Sequence, residues 1–321
     1  MSTKSIVSTK KVIAVVGATG AQGGGLVDAV LADPEGPFTV RALTRRTDSA
    51  AALALAERGA EVVAADLGDE QSLRRAFDGA YGAYIVTNYW ESMSSATELA
   101  QAGNAARAAR AAGVQHAIWS TLEDTRVHLP VSDPRLPVLE GSYTVPHFDA
   151  KAEADSFFID LGVPTTFLRT TYYWEAFLQG FGPQRAENGR LTLTIPMAEA
   201  ELAGIASADI GRVAYAVFIR GDELIGKTVS IAGEHLTGEQ MARAFAEFYG
   251  EPVDYRPLTF DGFRALPVPA AAEVGNMFQY YAEAAKDFTG ARDLDFVRQL
   301  HPDLLTLRQW LAAHKDALTI A

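Results

Sequence analysis

The 321-residue chain contains no cysteine. This absence excludes disulfide bonds, thiolate metal ligands, a cysteine nucleophile and redox sensing by the chain's own thiols. Long hydrophobic runs are also missing. No apolar stretch approaches the roughly 18 residues that a membrane-spanning helix needs, and residues 1–11 show no secretory signal pattern. We therefore expect a cytoplasmic protein that does not enter a membrane.

Positive charge is scarce, with 28 Lys and Arg against 40 Asp and Glu and a net charge of −12. A surface of this sign repels nucleic-acid phosphates and acidic lipids, so we expect no direct nucleic-acid binding. The six histidines form no helical pair and no cluster with nearby carboxylates, and the sequence predicts no metal site. The apolar content of 48% is enough for a full hydrophobic core.

The most informative motif is a glycine-rich turn near the N-terminus. Residues 17–23 read Gly-Ala-Thr-Gly-Ala-Gln-Gly, follow the apolar run 12–16 and lead into a helical pattern. A strand, a glycine turn and a helix in this order form a dinucleotide pyrophosphate cradle. Gly17 suits the tight turn, Gly20 lets the backbone approach phosphates, and Gly23 lets the helix pack closely on its strand.

Strand and helix patterns then alternate along the first half of the chain. This alternation predicts an α/β fold with a Rossmann-type doubly wound parallel sheet and a smaller C-terminal α+β lobe. We expect a flexible tail at 1–10, a nucleotide-binding domain at 11–170 and a lobe at 171–321 that forms the second wall of the cleft. The predicted strands are 12–16, 38–43, 61–65, 83–87, 117–119, 163–168, 191–195 and 228–231. The predicted helices of the lobe are 209–219, 237–249, 272–284 and 303–315.

Residues 121–145 combine acidic residues and prolines without clear periodicity. This composition predicts a long loop beside the site. Pro146 is then expected to begin a helix that ends at Gly162.

Two basic residues, Arg45 and Arg46, follow the second strand. An NAD enzyme usually carries an acidic residue there, against the ribose 2′-hydroxyl. Cations favour a 2′-phosphate instead, and hence NADP(H), although a solvated turn is the alternative. Asp66, at the end of the third strand, is placed either to accept a hydrogen bond from the adenine amino group or to cap the next helix.

The segment Thr87-Asn88-Tyr89-Trp90-Glu91-Ser92 follows the fourth strand. Its polar strand end and its aromatics predict a wall around the nicotinamide ribose. In the alternative interpretation, Tyr89 and Trp90 only fill the gap between the two domains.

Three residues occupy the layout of a short-chain dehydrogenase active site. Ser120 follows the fifth strand, and His147 and Lys151 lie four residues apart, on one face of the next helix. In that chemistry serine holds the carbonyl oxygen, tyrosine donates the proton, and lysine lowers the pKa of the tyrosine and binds the ribose. Histidine stands in the tyrosine position here, which makes ordinary carbonyl reduction doubtful. The alternative is an exposed helix with Ser120 as a turn residue.

Taken together, these motifs resemble the NmrA-like family of atypical short-chain dehydrogenases, and most of all its HSCARG-type NADPH sensors. The segments that carry the resemblance are 17–24, 44–45, 86–92, 147–151, 162–164, 276–278 and 305–315. The resemblance implies an NADP(H)-binding protein that lacks the catalytic tyrosine and regulates protein partners. Two departures, Ala176 for asparagine and Ala100 for lysine, imply weaker contacts to the nicotinamide half.

The resemblance and the glycine turn together define the predicted cofactor site. Its residues are Gly17, Ala18, Thr19, Gly20, Ala21, Gln22, Gly23, Arg45, Arg46, Asp66, Thr87, Asn88, Tyr89, Lys151, Tyr173, Trp174 and Glu175. If the chain is catalytic, its degenerate catalytic set is Ser120, His147 and Lys151.

Three functions are compatible with the sequence. The first is an NADP(H)-binding regulator with little or no dehydrogenase activity. The second is an NADPH-dependent reductase of quinones, enones or similar small molecules, with an apolar pocket built from Tyr173, Trp174, Phe177, Phe181 and the stretch 278–281; those aromatics also suit a hydrophobic core. The third, a scaffold without cofactor, is disfavoured by the intact glycines and basic pair. A protein partner, a small-molecule substrate and a homodimer all remain open.

Overall fold

A computed structural model describes residues 10–318 of the chain. Residues 1–9, which make up nearly all of the predicted tail, lie outside the described part. The strands are β1 Lys11–Val15, β2 Phe38–Thr44, β3 Glu61–Ala64, β4 Gly82–Ile85, β5 His116–Thr121, β6 Thr165–Arg169, β7 Tyr172–Tyr173, β8 Gln184–Arg185, β9 Leu191–Leu193, β10 Glu201–Ile205, β11 Thr228–Ser230, β12 Glu234–Thr237 and β13 Val253–Tyr255. The helices are α1 Ala21–Ala32, α2 Ala50–Glu57, α3 Glu70–Phe77, α4 Tyr89–Ser92, α5 Ser95–Ala111, α6 Pro146–Asp160, α7 Ser207–Arg220, α8 Gly238–Tyr249, α9 Phe260–Arg264, α10 Ala271–Glu283, α11 Ala285–Gly290, α12 Leu294–Leu300 and α13 Leu307–Ala313.

The central feature is a seven-stranded sheet in the order β11-β6-β5-β4-β1-β2-β3. Every pairing in this sheet is parallel. Parallel strands are buried on both faces, which explains why β1 and β4 read as nearly continuous apolar runs. The strand order reverses at β1, so the predicted doubly wound α/β fold is confirmed.

Helices cover both faces of this sheet. Helices α1, α7 and α12 bury one face with residues such as Leu26, Val213 and Val297. Helices α3, α5 and α6 bury the other, where Trp119 stacks on Phe158 at 5.2 Å between ring centroids.

A third core fills the C-terminal part of the chain, around Trp174, Phe245, Phe278 and Trp310. Two small sheets, β12-β10-β7 and β13-β9-β8, accompany its helices. The main sheet crosses the predicted boundary at residue 170, because β11 pairs with β6 and α7 packs along α1.

Most predicted elements form, and most of the differences lie in the C-terminal half. Of the predicted helix 303–315, only the part that corresponds to α13 is helical, and a separate helix, α12, precedes it. Strand β10 was not predicted, since its five residues alternate weakly and it is stabilised by neighbours distant in sequence. Ser120 lies inside β5 rather than after it, which corrects the predicted end of that strand.

Candidate cofactor site

A cleft of about 550 Å³ lies at the carboxyl end of the sheet, where β1 is flanked by β2 and β4. Ligands of doubly wound sheets bind at such a reversal of strand order. The predicted site residues that line this cleft are Gly17, Thr19, Gly20, Ala21, Gln22, Gly23, Arg45, Asp66, Thr87, Asn88 and Tyr173.

The glycine turn has the geometry that its spacing predicts. Gly17 has a φ of +67°, which side chains other than glycine rarely adopt. The Gly20 amide donates to the Gly17 carbonyl at 2.8 Å and closes the turn. A Cβ on Gly23 would lie 2.4 Å from the Gly17 carbonyl oxygen. Glycine is therefore required where α1 packs against the turn.

Helix α1 begins at this turn with Gly20 as its N-cap, and no side chain bonds to its first amides. Free amides at a helix N-terminus bind anions. Ala18 is only 1% exposed and packs into the core, so it shapes the turn without lining the cleft.

Arg45 and Glu91 meet across the mouth of the cleft, with Arg45 Nη1 2.5 Å from Glu91 Oε1. Both side chains are at least half exposed. Arg46 is also exposed but does not line the cleft. Of the two arginines that were predicted to act as a pair, the structure therefore places only Arg45 at the cleft.

Asp66 lines the cleft after β3. Its Oδ1 accepts a hydrogen bond from the Gly68 amide at 2.7 Å, whereas the N-cap of α3 is Asp69. The alternative in which Asp66 caps the helix is therefore wrong.

The Gln22 side chain is the centre of a partly buried hydrogen-bond network at the cleft. Its Oε1 accepts from Tyr84 at 2.5 Å and from Ser120 at 2.9 Å, and its Nε2 donates to the Tyr173 hydroxyl at 2.6 Å. Burial raises the pKa of Tyr173 to about 12, so this cleft residue is a neutral phenol near pH 7. The network joins the glycine turn to β4 and β5.

Lys151 is buried, and its ammonium group has three polar partners. Its Nζ lies 2.7 Å from Glu98 Oε1 and donates to Thr87 Oγ1 at 2.7 Å and to the Thr87 carbonyl at 3.1 Å. The Thr87 hydroxyl donates to the same Glu98 oxygen at 2.5 Å. An ammonium has three donors, so this contact set uses all of them.

His147 is held by the C-terminal part of the chain. Glu273 on α10 bonds to the His147 backbone amide at 2.9 Å and to Nδ1 at 2.7 Å. The ring of Trp90 lies 4.7 Å from the imidazole centroid. Both His147 and Glu273 are nearly fully buried.

Ser120, His147 and Lys151 therefore do not converge on the cleft, and none of them lines it. Ser120 donates to Gln22, His147 binds Glu273, and Lys151 binds Glu98 and Thr87. The alternative of an exposed helix with Ser120 as a turn residue is wrong, because both α6 residues are buried and Ser120 lies in β5. The three residues predicted as a degenerate catalytic set are thus each bonded to another residue of the fold.

Three other predicted cofactor residues also lie outside the cleft. Tyr89 is buried, and its hydroxyl donates to Glu140 at 2.7 Å. Trp174 packs in the C-terminal core. Glu175 accepts hydrogen bonds from the Ser207 amide at the start of α7 and from the Trp310 indole. The contacts of each of these side chains join elements of the fold.

Most of the aromatics proposed for an apolar pocket belong to the C-terminal core. Trp174, Phe177, Phe278, Tyr280 and Tyr281 are all at most 4% exposed. The interpretation of these residues as core is confirmed.

The predicted long loop between β5 and α6 is anchored at both ends by Asp149. Its carboxylate accepts from the Thr125 amide at 2.8 Å and from the Thr144 and Val145 amides at 2.9 and 3.0 Å. Glu140, near the end of the loop that precedes α6, accepts from the Ser95 amide at 2.9 Å. The loop thereby joins α6 to the segment after β4.

Sequence reasoning missed Glu91, Glu98 and Glu273 as partners of predicted site residues. One signal existed for Glu98: it shares the buried stripe of α5 with Ala102, Ala105 and Ala109, where a carboxylate requires a partner. Glu273 had no such signal, since it lies 126 residues from His147.

The pH dependence of stability is expected to reflect Asp155, beside Lys151 on α6. A single oxygen, Oδ1, accepts from Thr121 Oγ1 at 2.6 Å and from the Trp119 indole at 2.9 Å. Burial raises the pKa of this carboxyl from 3.8 to about 6. The folded chain therefore binds this proton more tightly than the unfolded chain does. The resulting stability is present below pH 3.8 and is lost as the pH rises through about 6.

Asp155→Asn keeps an acceptor oxygen for both donors and needs no proton. At pH 8 we expect it to raise the free energy of unfolding by about 2 kcal/mol, with the gain shrinking towards zero near pH 4. Urea unfolding across this range measures the difference. A variant less stable than wild type at every pH would contradict the assignment.

Among residues 10–318, no helix combines the length and apolarity needed to span a membrane. Over the same range, no group of three or more acidic or histidine side chains is arranged to hold a metal ion.

Comparisons with known proteins agree with this architecture. A family model described as the NmrA-like family matches residues 9–311. The NmrA-like family domain-containing oxidoreductase FrzB of Cladobotryum sp is 27% identical over 292 residues, which cover 84% of this chain and 83% of FrzB.

Two solved structures share the fold. NmrA, a negative transcriptional regulator, matches with a TM-score of 0.76 and 20% identity over 97% of this chain and 99% of its own. The Citrobacter sp. triphenylmethane reductase complexed with NADP(H) matches with a TM-score of 0.72 and 22% identity over 95% and 99%. The resemblance seen in the motifs is confirmed at the level of the family, and the chain belongs to the NmrA-like family.

Proposed function

We propose that this chain is an NADP(H)-binding regulatory protein with little or no dehydrogenase activity, similar to the HSCARG-type NADPH sensors. The observation that carries the proposal is the state of the proton-donor positions: Ser120, His147 and Lys151 are each bonded to another side chain and lie off the cleft. The cleft itself suits a dinucleotide, since the left-handed Gly17 turn and the uncapped start of α1 line it.

The cleft residues suggest how each part of the cofactor would be held. The amides at the start of α1 would bind the pyrophosphate, and Arg45 would bind the 2′-phosphate. Asp66 would accept from the adenine amino group. Thr87, Asn88 and Tyr173 would surround the nicotinamide half.

The cofactor supplies a hydride when an acceptor is present. A carbonyl acceptor also needs a proton, and the buried contacts of Lys151 and His147 withhold both side chains from the cleft. Binding without turnover fits this arrangement. A bound cofactor would then act through protein partners.

A reductase of quinones, enones or similar acceptors is the second candidate. It is favoured by the similarity to FrzB, an oxidoreductase, and to the triphenylmethane reductase. Such acceptors need little help from a side-chain acid. NADPH fluorescence titration together with NADPH absorbance over a panel of acceptors separates the two. Binding without oxidation supports the regulator, and protein-dependent turnover supports the reductase.

Arg45→Ala is expected to weaken NADPH binding by about 10- to 100-fold, since a charge-assisted contact to phosphate is lost. NADH, which lacks the 2′-phosphate, should bind with unchanged affinity. Arg46→Ala removes the neighbouring arginine, which is also exposed but lies outside the cleft, and should change neither dissociation constant. Equal effects of the two variants would show that Arg45 does not read the phosphate.

A further inference from the structure

We infer that Glu91 is an internal competitor for the 2′-phosphate site and lowers the selectivity of this chain for NADPH over NADH. This inference rests on the proposed NADP(H) binding and deepens it. Its physical basis is the position and charge of one ion pair, Arg45–Glu91.

The pair spans the cleft from side to side. Arg45 follows β2, Glu91 lies on α4 after β4, and β1 with its glycine turn lies between those two strands. The two side chains nevertheless meet at 2.5 Å. A dinucleotide on the glycine turn therefore lies against this pair.

The charges that line the cleft are few. Among the described lining residues, Arg45 is the sole cation, and Asp66 and Glu91 are the anions. The cation that would attract a 2′-phosphate is thus already neutralised by a carboxylate from across the cleft. A 2′-phosphate must displace Glu91 from Arg45 or share the guanidinium with it.

The competition is selective for the phosphorylated cofactor. NADH has no group that replaces the Glu91 carboxylate on Arg45, so the ion pair can persist when NADH binds. The 2′-phosphate of NADPH, in contrast, must compete with Glu91 for the Arg45 guanidinium. An ion pair of this exposure has a modest strength, which corresponds to an affinity change of about two- to five-fold.

This arrangement sets the NADPH concentration at which the site fills. With Glu91 in place, the dissociation constant for NADPH is higher than Arg45 alone would give. For a sensor, such weakening moves the response to higher cofactor concentrations without altering the glycine cradle.

The test is a double-mutant cycle on the full chain. NADPH and NADH dissociation constants are measured by fluorescence titration for wild type, Glu91→Gln, Arg45→Ala and the double variant. We expect Glu91→Gln to tighten NADPH binding by about two- to five-fold and to leave NADH binding unchanged. This gain should disappear in the Arg45→Ala background.

Glu61→Gln is the matched control. Glu61 pairs with Arg41 at 2.8 Å, is 53% exposed against 50% for Glu91, and does not line the cleft. Glu61→Gln removes the same charge as Glu91→Gln, so any general effect of net charge on cofactor binding appears in both variants.

The outcomes separate this inference from the proposed function. Weaker or unchanged NADPH binding by Glu91→Gln, an equal gain for NADH, or a gain that persists without Arg45 overturns the role of Glu91 alone. If neither wild type nor Glu91→Gln binds a nucleotide, the proposed function fails and this inference fails with it.

Discussion

Lys151→Met is expected to lower the free energy of unfolding by about 3–5 kcal/mol. The substitution removes the cation that neutralises Glu98, whose side chain is 1% exposed. Its Oε2 atom already has no hydrogen-bond partner among the described residues. A buried carboxylate without a cation beside it either stays charged, with no partner to replace the water it lost on folding, or takes up a proton. Both cost free energy at pH 7. Urea denaturation at pH 7 measures the loss.

Two controls assign that loss to the buried charge. Lys151→Met combined with Glu98→Gln removes both charges and should recover most of the stability, because an amide can still bond to Thr87. Arg185→Met breaks the Arg185–Glu251 pair, in which both side chains are 39% exposed, and should cost at most about 1 kcal/mol. A single variant as stable as the double one would mean that Glu98 does not depend on Lys151.

The neutral double variant also tests Lys151 as a cofactor ligand. The Thr87 and Glu98 contacts occupy its ammonium group, so we expect the affinity for NADPH to change by less than about threefold, which corresponds to under 1 kcal/mol. A large loss of affinity would show that Lys151 leaves Glu98 when the cofactor binds.

Gly23→Ala is expected to weaken NADPH binding by about 100-fold and to destabilise the fold by about 3 kcal/mol. The new Cβ would lie 2.4 Å from the Gly17 oxygen, 2.7 Å from the Gly17 carbonyl carbon and 3.0 Å from the Val16 oxygen. These are backbone atoms of the turn itself, so relief of the clash moves the amides that would hold the pyrophosphate. Titration and thermal unfolding measure the two effects.

Gly24→Ala is the control next to it. A Cβ there meets only the Ala18 oxygen, at an ordinary 3.6 Å. Because alanine favours the helix over glycine by about 1 kcal/mol, this variant should be as stable as wild type or more so, with unchanged affinity. Similar losses in both variants would show that the close packing at Gly23 is not what matters.

Local sequence was sufficient for the Rossmann half of the fold. The order of strand, glycine turn and helix at residues 12–31 depends on neighbours in the chain, and so do the positive φ of Gly17 and the start of α6 at Pro146. Strand β10 depends instead on partners 30 or more residues away, β7 and β12. Its five residues carry too little pattern to predict it.

Much of the lining of the cleft could also be predicted from local sequence. Residues that follow parallel strands meet at one edge of the sheet, which is why the glycine turn, Arg45, Asp66 and Thr87 lie together. Trp174 and Glu175 were placed there through the resemblance alone. Their partners, Trp310 and Ser207, come from distant elements that hold them away from the cleft.

The sequence by itself determined the parallel α/β sheet and the glycine cradle, because both follow from residue types at short spacing. Only the tertiary structure decided the state of the polar side chains. Glu98 binds Lys151, Glu273 binds His147, and Glu91 binds Arg45. The hydrogen bonds and ion pairs of a charged side chain depend on the groups within a few ångströms of it. Here these groups come from elements up to 126 residues away in the sequence.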